Sequence, residues 1–399
     1  MVAAGEMAML NFGMSRFYAK AVQDLADAVR PNDGFTETAP CVGISDEGLG
    51  EKSGPVGWGT AHPFLLWRLY QHYGDRRLLE QNYEPAKRWL ALLRSRAPDG
   101  ILDNGISDHE SLAPKPRALT GTGFYYLNAK LLANIARALG KEADAAEDDA
   151  LAETIRAAFN RKFLQPGTGR YDTATQACQA FALYLGLAPV EERERALAVL
   201  VRDIEDAHGG HLTTGIFGTK FMLHALTDAG HADVAFGIVN QSTFPGWGYM
   251  LESGATTLWE HWEFSDNTFS HNHPMFGSVS EWFYRALAGI NVAPDAVGFD
   301  KLVIRPQPAG DLKWVKASYD SVHGKVVSEW SRAAGKFNLR VRVPVGVTAT
   351  VILPSKDGTL VTEGGQPAER APSVQFLKRG SGDAVVAVGA GKYEFGSEP

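Results

Sequence analysis

The chain has 399 residues, enough for two or three domains or one large domain with an appendage. Its hydrophobic content of 45% and charged content of 21% are those of an ordinary globular protein. The net charge of −7 argues against a nucleic-acid partner, because there is no basic excess to neutralise phosphates. No apolar run approaches the roughly 20 residues that span a bilayer, so no membrane partner is expected.

The start of the chain and the cysteines bear on its compartment. The first seven residues lack the basic segment and the long apolar segment of a secretory signal, which predicts a cytoplasmic protein. Cys41 and Cys178 lie far apart and outside any CxxC spacing. This spacing predicts two reduced cysteines in or near the core, rather than a disulfide or a cysteine metal site.

The first part of the chain has helical periodicity. Apolar residues recur at intervals of three and four, and glycine or proline follows several of the runs. Two architectures fit this pattern, a ring of antiparallel helix pairs, the (α/α)6 toroid, and an irregular helical array. The predicted helices cover residues 12–29, 61–74, 78–95, 123–139, 146–163, 175–185, 189–207, 218–229, 231–241, 253–262 and 278–288.

The period changes near residue 290. Short alternating or apolar runs follow one another, separated by turns rich in glycine, proline and aspartate. This pattern predicts an antiparallel β-sandwich, so we expect a helical domain over residues 1–292 and a β-sandwich domain over 293–399. The predicted strands cover residues 299–308, 312–320, 324–331, 336–343, 348–353, 373–378 and 384–393.

Four tryptophans lie within 36 residues of one another. The faces of aromatic rings stack on the C–H faces of sugars, so such a cluster suits a carbohydrate cleft, while the alternative for each single tryptophan is a place in the core. The four are Trp247, Trp259, Trp262 and Trp282.

Glu260 lies among these tryptophans on the helix predicted over residues 253–262. A carboxylate beside tryptophan is partly removed from water, which suits proton transfer. We therefore interpret Glu260 as the catalytic candidate. Two neighbouring acids, Glu263 and Asp266, are interpreted as surface residues.

Two further polar clusters occur upstream. The loop over residues 103–110 contains Asp108, His109 and Glu110 between helical segments, and Trp58 is bracketed by glycines. Loops between rigid helices are common places for functional residues.

Histidines form the last cluster. His271 and His273 are two residues apart, but no carboxylate or cysteine completes a metal-ligand spacing. Hydrogen bonding to sugar hydroxyls or a structural role remain for them. No nucleotide-binding fingerprint occurs either, so neither a metal nor a cofactor is predicted.

Several of these segments resemble the α-L-rhamnosidase family of glycoside hydrolases, family 78, and the likeness runs along nearly the whole chain. It implies an (α/α)6 barrel followed by a β-sandwich, and hydrolysis of terminal α-L-rhamnose with inversion by two carboxyl groups. Glu260 occupies a position similar to the family's base. The segments are Trp247-Gly248-Tyr249-Met250, Gly254-Ala255-Thr256-Thr257-Leu258-Trp259-Glu260, Phe276-Gly277-Ser278-Val279 and Glu281-Trp282-Phe283-Tyr284.

The chain departs from the family at two places. The family's general acid lies in an Asp-Glu-Arg-Leu-Gly-Trp-like stretch that is absent from these 399 residues, so Glu110 and Asp108 are the nearest substitutes. Thr60 replaces an aspartate common in the family after Trp-Gly. The resemblance also implies that the ring lacks its first helix, and an open seam would favour homo-oligomers.

The expected partner is thus a rhamnose-containing glycoside. Two alternatives stay open, a carbohydrate-binding relic without catalysis, and another (α/α)6 enzyme such as a polysaccharide lyase with tyrosine or histidine as base. The predicted substrate-binding residues are Trp58, His109, Trp247, Trp259, Trp262 and His273.

Overall fold

The computed structural model describes residues 1–43, 48–264, 270–380 and 382–399. Two short π-helical turns, Asp203–Ala207 and Phe283–Leu287, directly follow the helices that end at Arg202 and Trp282. The helices are α1 (Gly5–Asn11), α2 (Ser15–Asp27), α3 (Val56–Gly59), α4 (Ala61–Tyr73), α5 (Arg76–Arg96), α6 (Arg117–Ala138), α7 (Glu142–Phe163), α8 (Gln176–Tyr184), α9 (Val190–Arg202), α10 (Ile216–Asp228), α11 (Ala232–Val239), α12 (Trp247–Glu252) and α13 (Ser278–Trp282).

The helices are of two kinds. In α6, 15 of 22 residues are buried, and in α10 every residue from Ile216 to Thr227 is buried. In α7 only 6 of 22 residues are buried, and they recur along one face. A helix that is apolar all round lies inside a layered structure, whereas a one-sided helix covers it. The sequence thus supplies inner and outer helices for two concentric layers.

Most predicted helices are confirmed to within a few residues, but the helix predicted over 253–262 is wrong. The helix α12 ends at Glu252, and residues 253–264 are irregular. Gly254 follows with a φ of 85°, a left-handed conformation that terminates helices. Backbone groups of residues 258 and 260 then bond to residues 273 and 270 instead of to a helical turn.

The strands form one small hairpin and two larger sheets. The strands are β1 (Leu164–Gln165), β2 (Arg170–Tyr171), β3 (Ile290–Val292), β4 (Lys301–Ile304), β5 (Trp314–Ser321), β6 (Gly324–Ala333), β7 (Lys336–Val343), β8 (Thr348–Pro354), β9 (Thr362–Glu363), β10 (Gln366–Pro367), β11 (Val374–Gly380), β12 (Asp383–Val388) and β13 (Gly391–Ser397). The six-stranded sheet has the order β10-β9-β13-β7-β6-β5, and the five-stranded sheet has the order β11-β12-β8-β4-β3.

The predicted sheets are confirmed with two corrections. The single strand predicted over residues 384–393 is wrong, because the chain turns at residues 389–390 and β12 and β13 join different sheets. All pairs in the two larger sheets are antiparallel except β4 with β8, which are parallel. A parallel pair needs a long connection, and β5, β6 and β7 lie between these two strands.

The chain divides into two compact units. The helical unit consists of Met1–Ala8, Met14–Arg68 and Arg76–Val279, and the sheet unit of Met9–Gly13, Leu69–Asp75 and Ser280–Pro399. The domain boundary predicted between residues 292 and 293 stays a prediction.

Each unit has an apolar core. In the sheet unit, Trp330, Phe337 and Val351 are among the buried members. Cys178 is buried and Cys41 is half-buried, and both are free thiols, as predicted. Within the described residues, no helix is long and apolar enough to cross a bilayer.

Candidate active site

Asp108 fixes the loop of residues 103–112 against the start of α10. Its Oδ2 accepts a hydrogen bond from Gly215 N at 2.7 Å, and its Oδ1 accepts from Phe217 N at 3.0 Å and Gly218 N at 2.8 Å. The first N–H groups of a helix have no partner within the helix, so a carboxylate placed there can accept their hydrogen bonds. Its negative charge also interacts favourably with the positive end of the helix dipole. Asp108 thereby acts as a cap supplied from a distant loop.

The surroundings of Asp108 leave it no access to solvent. The residue is 0% exposed, and burial raises its pKa to about 6 although the three N–H groups favour the anion. A general acid must reach the leaving oxygen of its substrate. The geometry therefore argues against Asp108 as the substitute acid, and the acid role predicted for Glu110 stays a prediction.

Glu110 lies between two histidines. Its Oε2 forms a short contact with Nδ1 of His261, and its Oε1 lies 3.3 Å from Nε2 of His109. Its backbone has a φ of 64°, in the left-handed region that side chains other than glycine rarely adopt. Such strain persists where the surroundings hold a residue in place, often at a functional site. Burial raises the pKa of the Glu110 carboxyl against the opposing effect of His261.

Glu260 lies in an irregular segment that runs beside residues 270–273. Its backbone N donates to Ser270 O at 2.9 Å, and its Oε2 accepts from Ser270 N at 2.9 Å. One carboxylate oxygen is thus occupied, which fixes the orientation of the group. No other hydrogen bond to a described residue is recorded for Oε1, so this oxygen can bind water.

The two loops meet around His109. Burial lowers the pKa of His109 to about 4, and the electrostatic effects of Lys115 and His261 act in the same direction, while Glu260 opposes them. His109 therefore lies within electrostatic reach of both carboxylates. The structure brings Glu110, Glu260 and three histidines, 109, 261 and 273, into one cluster of the helical unit.

His273 presents a defined tautomer to this cluster. Its Nδ1 accepts a hydrogen bond from Met275 N at 3.3 Å, so the proton of the neutral ring lies on Nε2. Burial lowers the pKa of His273, which favours the neutral ring, while the charge of Glu260 acts in the opposite direction. Nε2–H is then a donor suited to a sugar hydroxyl.

The predicted tryptophans occupy different environments. Trp58 is half-buried and packs edge-on against His109, with ring centroids 5.5 Å apart. Trp262 is 1% exposed, and Trp247 and Phe276 cover its ring. Trp259 is 3% exposed. Trp58 therefore offers an accessible aromatic surface beside the carboxylates, whereas Trp247, Trp259 and Trp262 form the aromatic support beneath the loop.

Sequence reasoning passed over two contributors to the site. His261 bridges the two loops through Glu110, and its position directly after Glu260 was the available signal. Lys115 adds positive charge near His109 and Glu110, with no pattern in the sequence to mark it. Glu263 is an exposed residue, as predicted, but it does not lie on a helix. Asp266 lies outside the described residues.

A metal site is not found among the described residues, where no three histidine, cysteine, aspartate or glutamate side chains are grouped to hold an ion.

Known proteins resemble this chain in sequence and in fold. Residues 2–287 match the bacterial alpha-L-rhamnosidase 6 hairpin glycosidase domain, and residues 289–367 match the bacterial alpha-L-rhamnosidase C-terminal domain. A curated alpha-L-rhamnosidase of Streptomyces avermitilis is 36% identical over 394 residues, which cover 96% of this chain and 36% of that protein. The six-hairpin description confirms the predicted (α/α)6 toroid in preference to an irregular array.

Solved structures agree. An alpha-L-rhamnosidase from Dictyoglumus thermophilum superposes with a TM-score of 0.90 at 36% identity, covering 100% of this chain and 45% of that chain. The Streptomyces avermitilis alpha-L-rhamnosidase complexed with L-rhamnose superposes with a TM-score of 0.89 at 34% identity, covering 99% and 37%. The chain thus spans less than half the length of these relatives, and it belongs to the bacterial alpha-L-rhamnosidase family.

Proposed function

We propose that the chain hydrolyses terminal α-L-rhamnosides with inversion, with Glu260 as the general base that activates water. The observation that carries the proposal is the orientation of this carboxylate. Ser270 N holds Oε2, Oε1 has no hydrogen bond from a described residue, and the charge of Glu260 acts on His109. An inverting glycosidase uses one positioned carboxylate as the base that binds the attacking water, and Glu260 suits this role because one oxygen is fixed and the other has no described partner.

The sugar is held by residues around this base. His273 donates from Nε2, and Trp58 offers an aromatic surface beside His109. A neutral donor and an apolar ring suit a deoxy sugar, because rhamnose combines hydroxyl groups with a methyl group. The relative from Streptomyces avermitilis has been solved with L-rhamnose, which supports this choice of substrate.

Glu110 is proposed to position His109 and His261 rather than to donate the proton. Each of its oxygens contacts one histidine, so both oxygens are engaged within the site. The identity of the acid is tested by the leaving group. Loss of a general acid slows rhamnosides with poor leaving groups far more than those with activated aryl leaving groups.

The decisive experiment is an assay of the 399-residue chain with a chromogenic α-L-rhamnoside. Glu260→Gln should lower kcat about 100- to 10,000-fold, the usual range for an acid–base group, while L-rhamnose binding by calorimetry is retained. Glu263→Gln is the matched control, since this acid is exposed and lies three residues away.

Each outcome decides between the proposals. Unchanged turnover in Glu260→Gln rules out its role as base. Rhamnose binding without turnover in the unaltered chain supports the carbohydrate-binding relic, and retained configuration in the product, followed by NMR, contradicts inversion. Unsaturated uronic products formed from a polysaccharide that contains uronic acids, in place of rhamnoside hydrolysis, would indicate a lyase.

For Glu110→Gln we expect equal losses with activated and poor leaving groups, because the residue acts through the histidines. A loss confined to poor leaving groups would instead assign Glu110 as the acid. If Glu110 acts by positioning the histidines, Glu110→Asp should regain part of the activity, and part of the normal pH profile, that Glu110→Gln loses.

A further inference from the structure

The outer face of the six-stranded sheet carries an exposed tryptophan. Trp314 is 62% exposed at the start of β5, the edge strand of that sheet. Single exposed apolar side chains are common on protein surfaces, so Trp314 by itself indicates nothing. The residues beside it on the same face make the position informative.

A strip of small polar residues extends sideways from Trp314. Ser331 lies directly opposite it on β6, Asn338 lies opposite Ser331 on β7, and Gly396 lies opposite Asn338 on β13. Residues paired in this way share one face of a sheet. Neither Ser331 nor Asn338 has a recorded side-chain hydrogen bond to a described residue. The exposed ring of Trp314 therefore lies beside short polar side chains whose donors and acceptors form no hydrogen bonds with described residues.

Positive charge borders this strip. The row next to this strip contains Glu329, Arg340 and Glu394 on neighbouring strands. Arg340 forms salt bridges with both acids, with Glu329 at 3.2 Å and with Glu394 at 3.4 Å. The chain as a whole has a net charge of −7, whereas cations outnumber acids in these rows of the sheet face. Lys316 lies directly opposite Glu329, and Arg342 lies opposite Lys392 in the row beyond; none of these three cations forms a salt bridge with a described residue.

We propose that this outer sheet face, defined by Trp314, Ser331, Asn338, Lys316 and Arg342, is an accessory binding surface for an acidic polysaccharide. A pyranose ring stacks on Trp314, and its hydroxyl groups bond to the polar strip. Carboxylates of neighbouring uronic residues pair with the free cations. Lys316, whose Nζ lies 5.9 Å from the centre of the Trp314 ring, links the aromatic and cationic parts.

The occupant follows from the combination of these features. A neutral glycan would leave the three cations without partners, and a protein surface would need a larger apolar area than one ring supplies. Single-stranded nucleic acid also joins stacking to negative charge, but it favours several aromatic platforms along a groove. This face has one exposed aromatic ring, that of Trp314, and beside it the hydroxyl group of Ser331 and the amide group of Asn338.

The test uses the full chain and polygalacturonate, with its methyl ester as the uncharged match, in affinity electrophoresis and calorimetry. Trp314→Ala should weaken binding to polygalacturonate about tenfold or more, as expected for loss of a central aromatic anchor. Lys316→Gln with Arg342→Gln should weaken binding and flatten its salt dependence. Phe17→Ala is the control, since Phe17 is 64% exposed in the helical unit.

The results separate this site from the active site. We expect Trp314→Ala to keep its melting temperature and its L-rhamnose binding, and Glu260→Gln to keep its polygalacturonate binding. The proposal is overturned if polygalacturonate does not bind, if Trp314→Ala binds as the unaltered chain does, or if the methyl ester binds equally well. Tighter, Trp314-dependent binding of single-stranded DNA would assign the surface to nucleic acid instead.

Discussion

Asp108 and Glu110 are two residues apart in one loop, yet their surroundings give them different roles. Asp108 points into the start of α10 and is enclosed by backbone N–H groups. Glu110 points toward His109 and His261 and is half-buried. The backbone at Glu110 is in the left-handed region, with a φ of 64°. The Asp108 carboxylate therefore fixes the loop in place, and the Glu110 carboxylate belongs to the site that the loop forms.

Asp108→Ala should destabilise the helical unit. It leaves three buried N–H groups without acceptors, and we expect a loss of about 2–4 kcal/mol in the free energy of unfolding, measured with urea. The control is Asp103→Ala in the same loop, whose pair with Arg117 at 2.8 Å is exposed. An exposed pair contributes roughly 0–1 kcal/mol. Equal losses in the two variants would contradict the capping role.

His62 should make stability depend on pH. It is stacked on Phe35, its Nε2 lies 3.3 Å from Asn82 Oδ1, and burial lowers its pKa to about 4. Between about pH 4 and 6.5 the unfolded chain binds this proton and the folded chain does not. Its contribution to stability is therefore complete above pH 6.5 and is lost as the pH falls toward 4.

The measurement is the free energy of unfolding at a series of pH values. In His62→Gln the slope between pH 4.5 and 6 should be smaller by up to about 1.4 kcal/mol per pH unit. His323→Gln, at an exposed turn of the sheet unit, should keep the slope of the unaltered chain. An unchanged slope in His62→Gln would show that His62 is protonated alike in both states.

At the scale of elements, the catalytic candidate depends on a segment that is not a regular element. Glu260 is held because its segment pairs with residues 270–273, and the aromatic rings of Trp247 and Trp262 support that segment from below. Trp262 also donates from Nε1 to Thr214 O at 2.9 Å, just before α10. Asp108 and Trp262 therefore fix both loops of the site to the same end of one buried helix.

Substitution of two tryptophans separates support from sugar contact. Trp262→Ala removes a ring that is 1% exposed and should cost about 3–5 kcal/mol of stability. Trp58→Ala removes a half-buried ring beside His109 and should raise KM for a chromogenic rhamnoside with a smaller loss of stability. Urea unfolding and steady-state kinetics measure the two effects. The assignment fails if Trp58→Ala is the more destabilising change while leaving KM unaltered.

At the scale of the whole molecule, the two units do not follow one another along the chain. The sheet unit includes residues 9–13 and 69–75, which precede the rest of it by more than 200 residues. Leu10 belongs to its core, and Tyr319 Oη lies 3.3 Å from Nδ1 of His72. Phe299 N and Gly298 N donate to carbonyl groups of residues 71 and 70. The sheet unit is therefore completed by segments that appear helical in the sequence.

A fragment of residues 280–399 should be markedly less stable than the same sheets in the full chain. It lacks Leu10, which leaves a cavity in the core, and the carbonyl partners of Gly298 and Phe299. Hydrogen exchange of amides in β6 and β7, compared between fragment and full chain, measures the difference. Equal protection in both would show that the segments 9–13 and 69–75 contribute nothing to this unit.

The sequence by itself determined the classes of element, the change from helices to strands and the family resemblance. These follow from local periodicity and from motifs that are continuous along the chain. It also marked Glu260, because that residue lies in a specific motif. It misjudged the helix over 253–262, since the hydrogen bonds of Leu258 and Glu260 go to residues more than nine positions away.

Only the tertiary structure decided what each candidate can do. In the sequence, Asp108, His109 and Glu110 are three polar residues of one loop with nothing to separate their roles. In the structure, Asp108 binds the start of α10, whereas Glu110 contacts His261. Three of the four tryptophan side chains predicted to bind sugar are buried, because aromatic residues near a site and aromatic residues beneath it have the same sequence signature. Burial and hydrogen bonding are properties of the folded chain, so the sequence could name Glu260 but could not show what surrounds it.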